Sequence, residues 1–358
     1  MPDIPTFLDS LPVVGYVFQF VGYVVANLGV ISQTTVAVAV PITLAALCGV
    51  MCERSGVVNI GIEGTMLIAA FVGWVAGVAA VGFVPTQQAT APFGITPALL
   101  IGLAAAMIAG MAVSLLHAWL AISLRVDQII SGTIINIAAL GVTGYLNTII
   151  AATSPTSAGA FTRVTLPTSL TDLPGVGWIL AALFNQGPIT LSVLVLVIGL
   201  QVWLFRTRWG LRTRAVGEHP KAAETVGIDV VALRYRNVVM AGIFAGLGGA
   251  YLSMEAGNSF QANMTAGRGF IALAAMILGR WTPIGAFLAA VLFSLFQTLG
   301  QTIKFLPPTG DLTIMLQAPG QFYDALPYLV TIVVLAGVVG RSIPPAADGQ
   351  PYEREAAT

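Results

Sequence analysis

Charge is what this chain has least of. Asp, Glu, Lys and Arg make up 8% of its 358 residues, where a soluble domain carries about a quarter, so a water-soluble globular fold is excluded. The few charges balance to a formal net of zero, which leaves no global field to attract nucleic acid. Lysine is almost missing. Lys221 is followed by Ala and Lys304 by Phe, so neither completes a GxxxxGK[ST] phosphate loop; any ATP that drives this protein must be bound by another polypeptide. Histidine is limited to His117 and His219 and cysteine to Cys48 and Cys52, too few for a metal cluster of the usual spacing. The cysteines lie four apart on an expected helix with no other soft ligand nearby, and read as small buried residues rather than a thiol pair. The opening MPDIPTFLDS has two acids and no Lys or Arg, so it lacks the basic region of a cleavable signal and is expected to stay in the mature chain.

What the chain does have is apolar surface, with 57% hydrophobic residues and a mean hydropathy of +0.89. Runs able to cross about 30 Å of hydrocarbon as helices fall at 12–31 (the weakest), 33–52, 64–84, 97–122, 128–150, 188–205, 237–255, 283–301 and 325–340. The expected fold is therefore all-α, a polytopic membrane helix bundle of about ten apolar segments once a short one at 269–279 is included. That short piece is about 16 Å long as a helix and does not span alone. It ends at Gly279, Arg280, Trp281, Thr282 and Pro283 before a new run begins, so a broken or re-entrant helix is expected over 269–301, its loose backbone buried in protein or lining a cavity. Gly73 with Gly77, and Gly242 with Gly246, have the spacing of close helix contacts.

Basic residues set the orientation. With the 206–236 loop inside, threading through the segments puts 12 Lys and Arg inside against 3 outside, the latter being Arg163, Arg268 and Lys304. The loop itself supplies seven of those 12; Arg54, Arg125, Arg280, Arg341 and Arg354 supply the rest and keep the same sign. The positive-inside rule then places both termini in the cytoplasm, with 152–187 and 302–324 as the large outer loops. "NIGIEGTMLIAAFVG" (59–73) and "GFIALAAMILGRWTPIGAF" (269–287) share a pattern of glycines ahead of an apolar run. Paired breaks of this kind mark the pathway in many transporters, and shared composition explains the likeness equally well.

Within the 206–236 loop, "RAVGEHPKAAETVGI" (214–228) is unlike its surroundings. Pro220 suits a first helical position, Ala222, Ala223 and Val226 recur at helical spacing, and Gly227 suits the residue after a helix end. A short helix with a small apolar face is expected, either as a docking element for another protein or as a solvated connector whose charges only set topology. Ala222 and Ala223, three residues, then Gly227 resemble the "EAA" loop of permease subunits in bacterial ABC importers, with Lys221 where that motif has Glu and no Ile-x-Leu-Pro tail. "ERSGVVNIGIEGTMLIAAF" (53–71), "RVDQIISGTIINIAALGVTGYLN" (125–147), "RTRAVGEHPKAAETVGI" (212–228) and "GRGFIALAAMILGRWTPIGA" (267–286) extend the likeness. Together they resemble nucleoside permeases, a branch of the sugar and branched-chain amino acid permease family, over roughly 33–340.

The resemblance implies a permease domain over 33–340, an N-terminal segment 1–32 that the sequence leaves as spanning or not, and a cytoplasmic tail over 341–358. It also implies partners: an ABC ATPase that binds ATP and Mg, a second permease subunit, related but different, and an extracytoplasmic substrate-binding lipoprotein. No cofactor is expected in this chain, which would act as a transport subunit of the inner membrane rather than an enzyme. Gly217, Glu218, Lys221, Ala222, Ala223 and Gly227 would form the ATPase-coupling element. Asn59, Glu63, Asn136 and Gln297 are the polar candidates for the substrate pathway; each is equally a cap or helix-to-helix hydrogen bond. Phe260 and Phe270 are weaker candidates to stack a base. The alternatives are a simple-sugar ABC permease, a stand-alone secondary carrier or channel, or a membrane scaffold. Acid and Arg pairs deep in the spans, expected of a proton-driven carrier, are scarce.

Overall fold

A computed structural model describes residues 12–84, 92–153, 158–171, 173, 175–308, 312, 322, 325, 329, 332 and 342–353. Among them all regular structure is helical. The helices are α1 (Pro12–Ala26), α2 (Leu28–Glu53), α3 (Ile62–Val81), α4 (Pro97–Ala118), α5 (Gln128–Thr153), α6 (Thr168–Thr171), α7 (Gly177–Phe184), α8 (Pro188–Arg206), α9 (Arg208–Glu218), α10 (Pro220–Thr225), α11 (Val230–Met254), α12 (Arg268–Leu278) and α13 (Pro283–Phe305). Seven are long and apolar enough to cross a membrane: α2, α3, α4 with the wider turn Trp119–Ser123 that continues it, α5, α8, α11 and α13. The expected span at 325–340 lies, but for isolated positions, outside the described residues, as do Arg341 and Arg354.

Local chemistry fixes the helix ends. Thr96 accepts from Leu99 N at 3.2 Å ahead of Pro97, and Thr207 caps α9 by accepting from Gly210 N at 3.2 Å. Asp229 accepts from Ala232 N at 2.9 Å and starts α11 at Val230, well before the position 237 expected from hydropathy. The arginines that ended the apolar window, Arg234 and Arg236, lie inside the helix because a capped helix runs through a polar turn whose charges find partners. α9 was not expected at all: it is a polar helix, to which a search for apolar runs is blind.

The chain divides into two compact units. One comprises described residues of 1–38, 164–186 and 291–338. In it Tyr23 donates its hydroxyl to the Leu306 carbonyl at 2.8 Å, and the Gln186 amide donates to the carbonyls of Gln33 at 3.2 Å and Ala182 at 2.9 Å. The other comprises 39–163, 187–290 and 339–358, and its centre is α3, α4 and α11 packed against one another. Small residues set their separation. A Cβ on Gly110 would fall 2.2 Å from the Gly242 carbonyl oxygen, and one on Gly246 would fall 2.7 Å from that of Ala106. The glycine pairs read from the sequence as packing contacts therefore sit at the helix crossings. Cys48 and Cys52 are buried with free thiols.

Candidate translocation site and coupling face

Between α2 and α3 the backbone is irregular and mostly buried over 54–61, so its N–H and C=O groups need protein partners. Side chains of α4 and α5 provide them. Val58 N donates to Gln128 Oε1 at 2.7 Å, and the Val58 carbonyl accepts from His117 Nε2 at 2.9 Å. A carbonyl only accepts, so the His117 proton sits on Nε2, and Nδ1 of the neutral ring accepts from the Ser131 hydroxyl at 3.1 Å. Asn136 bridges the rest of the turn: its Nδ2 donates to the Ile60 carbonyl at 3.0 Å and its Oδ1 accepts from Gly64 N at 2.7 Å.

Glu63 has a comparable task one residue earlier. Its carboxylate accepts from Gly267 N at 2.7 Å and Gly269 N at 2.6 Å, so an anion in the first turn of α3 also closes the positive end of α12. The Arg268 guanidinium lies close enough to interact with it. The two stretches compared as a repeat, 59–73 and 269–287, thus touch at their glycine ends. Asn59, Glu63 and Asn136 form one cluster. Asn59 differs from its neighbours: it is buried, its Nδ2 points to Cys52 Sγ at 3.8 Å, and its Oδ1 has no partner among the described residues. Gln297, half-buried on α13, belongs to the other unit.

The expected helix break is present. α12 stops at Gly279, Arg280 and Trp281 take left-handed φ values of 54° and 52°, and Pro283 opens α13. Two non-glycine residues in that region carry backbone strain, and the end of α2 holds them there. Arg54 Nε donates to the Trp281 carbonyl at 2.8 Å and its Nη2 to that of Arg280 at 3.1 Å, while Trp281 Nε1 donates to Glu53 Oε2 at 2.5 Å. Burial lowers the Arg54 pKa from its ordinary value, with Glu218 opposing that shift.

The 206–236 loop folds against this same turn. α9 and α10 form a corner around a small apolar cluster of Val216, Ala223, Val230 and Leu233. Ala223 is 4% exposed and faces inward, whereas Ala222 and Val226 face solvent, so the two alanines of the motif have different surroundings. Gly217 also faces inward, since a Cβ there would lie 2.3 Å from the Arg54 carbonyl oxygen. Lys221 and Glu218 are exposed. Gly227, with φ +81°, ends α10 as expected, and Ile228 N donates to the Ala223 carbonyl at 3.1 Å. Outward Ala222 and Gly227 are thus small residues that another backbone can approach closely, flanked by exposed Lys221 and Val226.

Residues 342–353 are the described part of what was expected from the sequence simply as a cytoplasmic tail over 341–358. They are laced to the 206–236 loop: Ala347 N donates to the Gly217 carbonyl at 2.9 Å and Ala346 N to Glu218 Oε2 at 3.1 Å. The Tyr352 hydroxyl donates to Glu224, and Arg125 pairs with Glu353 at 2.7 Å. Arg234, 2% exposed, donates to the Ser55 carbonyl at 3.1 Å and the Gln350 carbonyl at 3.0 Å. The Asp348 carboxyl hydrogen-bonds that of Glu53, and burial pushes its pKa up to about 6. No periodicity announces such contacts; a lone arginine inside a polar turn was the one available hint. The loop, Arg54, Arg125, Arg280 and the tail gather at one end of this unit, the grouping that charge counting assigned to one side.

At the other end of α11, Glu255 closes the start of α8. It accepts from Ile189 N at 2.7 Å, Thr190 N at 3.1 Å and the Thr190 hydroxyl at 2.5 Å. Burial raises the Glu255 pKa despite these bonds. Phe260 is 5% exposed in an aromatic cluster with Phe71 and Trp74, at centroid distances of 5.1 Å and 6.3 Å, while Phe270 is half exposed on α12.

Residues 31–335 match the family model described as branched-chain amino acid transport system / permease component. The guanosine ABC transporter permease protein NupQ of Bacillus subtilis (strain 168) is 39% identical over 92% of this chain and 98% of its own length. The nucleoside ABC transporter permease protein NupC of Lactococcus lactis subsp. cremoris is 36% identical over 92% and 98%. The glucose ABC transporter permease protein TsgB13 of Haloferax volcanii is 28% identical over 83% and 76%. No solved structure matches.

Proposed function

Because the chain belongs to the branched-chain amino acid transport system / permease component family, we propose that it is the membrane subunit of an ABC importer that carries nucleosides across the inner membrane. The observation that carries this reading is near full-length similarity to the guanosine and nucleoside permeases. Energy comes from a separate ATPase that binds ATP and Mg. A second permease subunit completes the pathway, and an extracytoplasmic binding lipoprotein delivers the solute. Both termini and the 206–236 loop are cytoplasmic.

The contacts supply a route for the work. α10 is the element that the ATPase moves. Its corner bears on the 54–56 turn through Gly217, and Arg54 in that turn grips the carbonyls of the break between α12 and α13. The Glu63 carboxylate ties the other end of α12 to α3. Displacement of α10 is thereby passed to the short helix beside the Asn59, Glu63 and Asn136 cluster, the proposed inner stretch of the pathway; Gln297, on α13 of the other unit, is a separate pathway candidate. In that cluster Glu63 and Asn136 shape the backbone, and Asn59, buried in this conformation, holds the unpaired carbonyl oxygen that solute would engage when the pathway opens.

The test is uptake in a cell carrying this chain, its ATPase and its binding protein. Labelled guanosine should accumulate and unlabelled nucleosides should compete. Equal competition by free ribose or glucose would transfer the assignment to a sugar permease, a reading that the similarity to the glucose permease keeps in view.

A further inference from the structure

α10 does not stand alone at the coupling face. The 346–353 stretch runs beside it, and between them lies a groove of about 890 Å³ with His219, Lys221 and Ala222 on one wall and Gln350, Pro351 and Glu353 on the other. Ala222 and Pro351 are both exposed. A body that closes on Ala222 therefore enters a space whose far side is the tail. We propose that the C-terminal tail is the second wall of the ATPase-docking surface, and that the ATPase seats a protruding segment between α10 and residues 346–353.

The tail is built as a wall. Tyr352 is held by Glu224 of α10 and lies under the Arg234 guanidinium, 6.0 Å from its ring centroid. Ala346 and Ala347 are hydrogen-bonded to Glu218 and Gly217 at the end of α9. These bonds tie the tail to both sides of the α9 and α10 corner, so the two walls move together. Glu53 and Arg234 anchor its middle to the ends of α2 and α11. The volume is that of a ligand-sized cleft, in the range of roughly 300–1,000 Å³, which admits a loop tip or a few side chains and excludes the flat approach of a whole domain. Continuity with the outward edge of α10 identifies the occupant as the ATPase, and this rests on the coupling role proposed above.

Thiol cross-linking in the full chain co-purified with its ATPase separates the two ideas, since native Cys48 and Cys52 are buried. Ala222→Cys and Pro351→Cys should both cross-link to the ATPase through a short bifunctional reagent. Phe83→Cys, exposed beyond the far end of α3, should not. Cross-linking from Ala222→Cys without Pro351→Cys would overturn the tail proposal and leave the coupling role of α10 standing; failure of both would overturn both. As a second readout, removal of 342–358 should weaken ATPase binding about tenfold or more, and unchanged affinity would contradict the proposal even if the cross-link formed.

Discussion

Gly217→Ala is a single methyl placed where the coupling corner meets the membrane unit. The new Cβ would lie 2.3 Å from the Arg54 carbonyl oxygen and 3.0 Å from the Arg54 carbonyl carbon. Reaching even a 3.0 Å contact with the oxygen requires about 0.7 Å of separation, and the obstructing atoms are backbone. That backbone does not yield easily: Ser55 Oγ is bonded to the Cys52 carbonyl at 2.7 Å and the Ser55 carbonyl to Arg234 at 3.1 Å. Overpacking of this kind costs about 1–3 kcal/mol, roughly a fivefold to hundredfold shift in how well the corner seats. The readouts are trypsin cleavage within 206–229 and uptake of labelled guanosine in cells. Cleavage should accelerate and uptake should fall about fivefold or more. Gly199→Ala on α8 is the control: nothing lies within 4 Å of it and its backbone is helical, so the added methyl meets no obstacle. Wild-type uptake in Gly217→Ala, or cleavage no faster than in Gly199→Ala, would refute the argument that the corner bears on Arg54.

Other outcomes follow from the same contacts. Ala222→Glu should keep the chain folded in the membrane and reduce ATPase co-purification, whereas Ala223→Glu puts a carboxylate among Val216, Val230 and Leu233, costs several kcal/mol and should expose the whole loop to protease. Asn136→Ala leaves Gly64 N and the Ile60 carbonyl unpaired in a buried turn, about 2–4 kcal/mol by the usual cost of orphaned groups; a thermal unfolding midpoint equal to wild type would contradict that role. Asp348 gives the tail a pH dependence. Its pKa rises from 3.8 to about 6, first through burial, with the Glu53 hydrogen bond, Arg234 and the Gly349 N–H opposing. The seated tail thus binds more protons than a released one between those values, and seating weakens as pH rises through the window. Hydrogen-exchange protection of 343–353, each rate taken relative to the intrinsic amide rate at that pH, should be higher at pH 5 than at pH 7.5, and Asp348→Asn should flatten the difference.

Hydropathy located each long described helix to within a few residues except α11, because a bilayer demands uninterrupted apolar length and little else resembles it. The break at 279–283 was equally plain, since an 11-residue helix followed by Gly, Arg, Trp, Thr and Pro has no other comfortable reading. Burial within the polar loop was not legible. Ala222 and Ala223 are adjacent and chemically identical, and only the direction in which α10 packs decides that the second faces Val216. The pathway residues show the same limit: Asn136 and Glu63 were recognisable as polar groups in greasy surroundings, but whether each meets backbone or solute depends on strands of chain over 70 residues away. The roles of His117 and Gln128 were hidden for that reason. The tail was missed because its hold is made of backbone N–H groups and single side chains, which leave no pattern.

On the function proposed above, this chain moves solute only when a separate ATPase works on α10. Proteoliposomes containing the chain and its partner permease, with and without the ATPase, and supplied with binding protein, ATP and labelled guanosine, measure it directly. Concentrative uptake should appear only with the ATPase and should vanish with Ala222→Glu. Accumulation against a gradient by the permease alone would contradict the account.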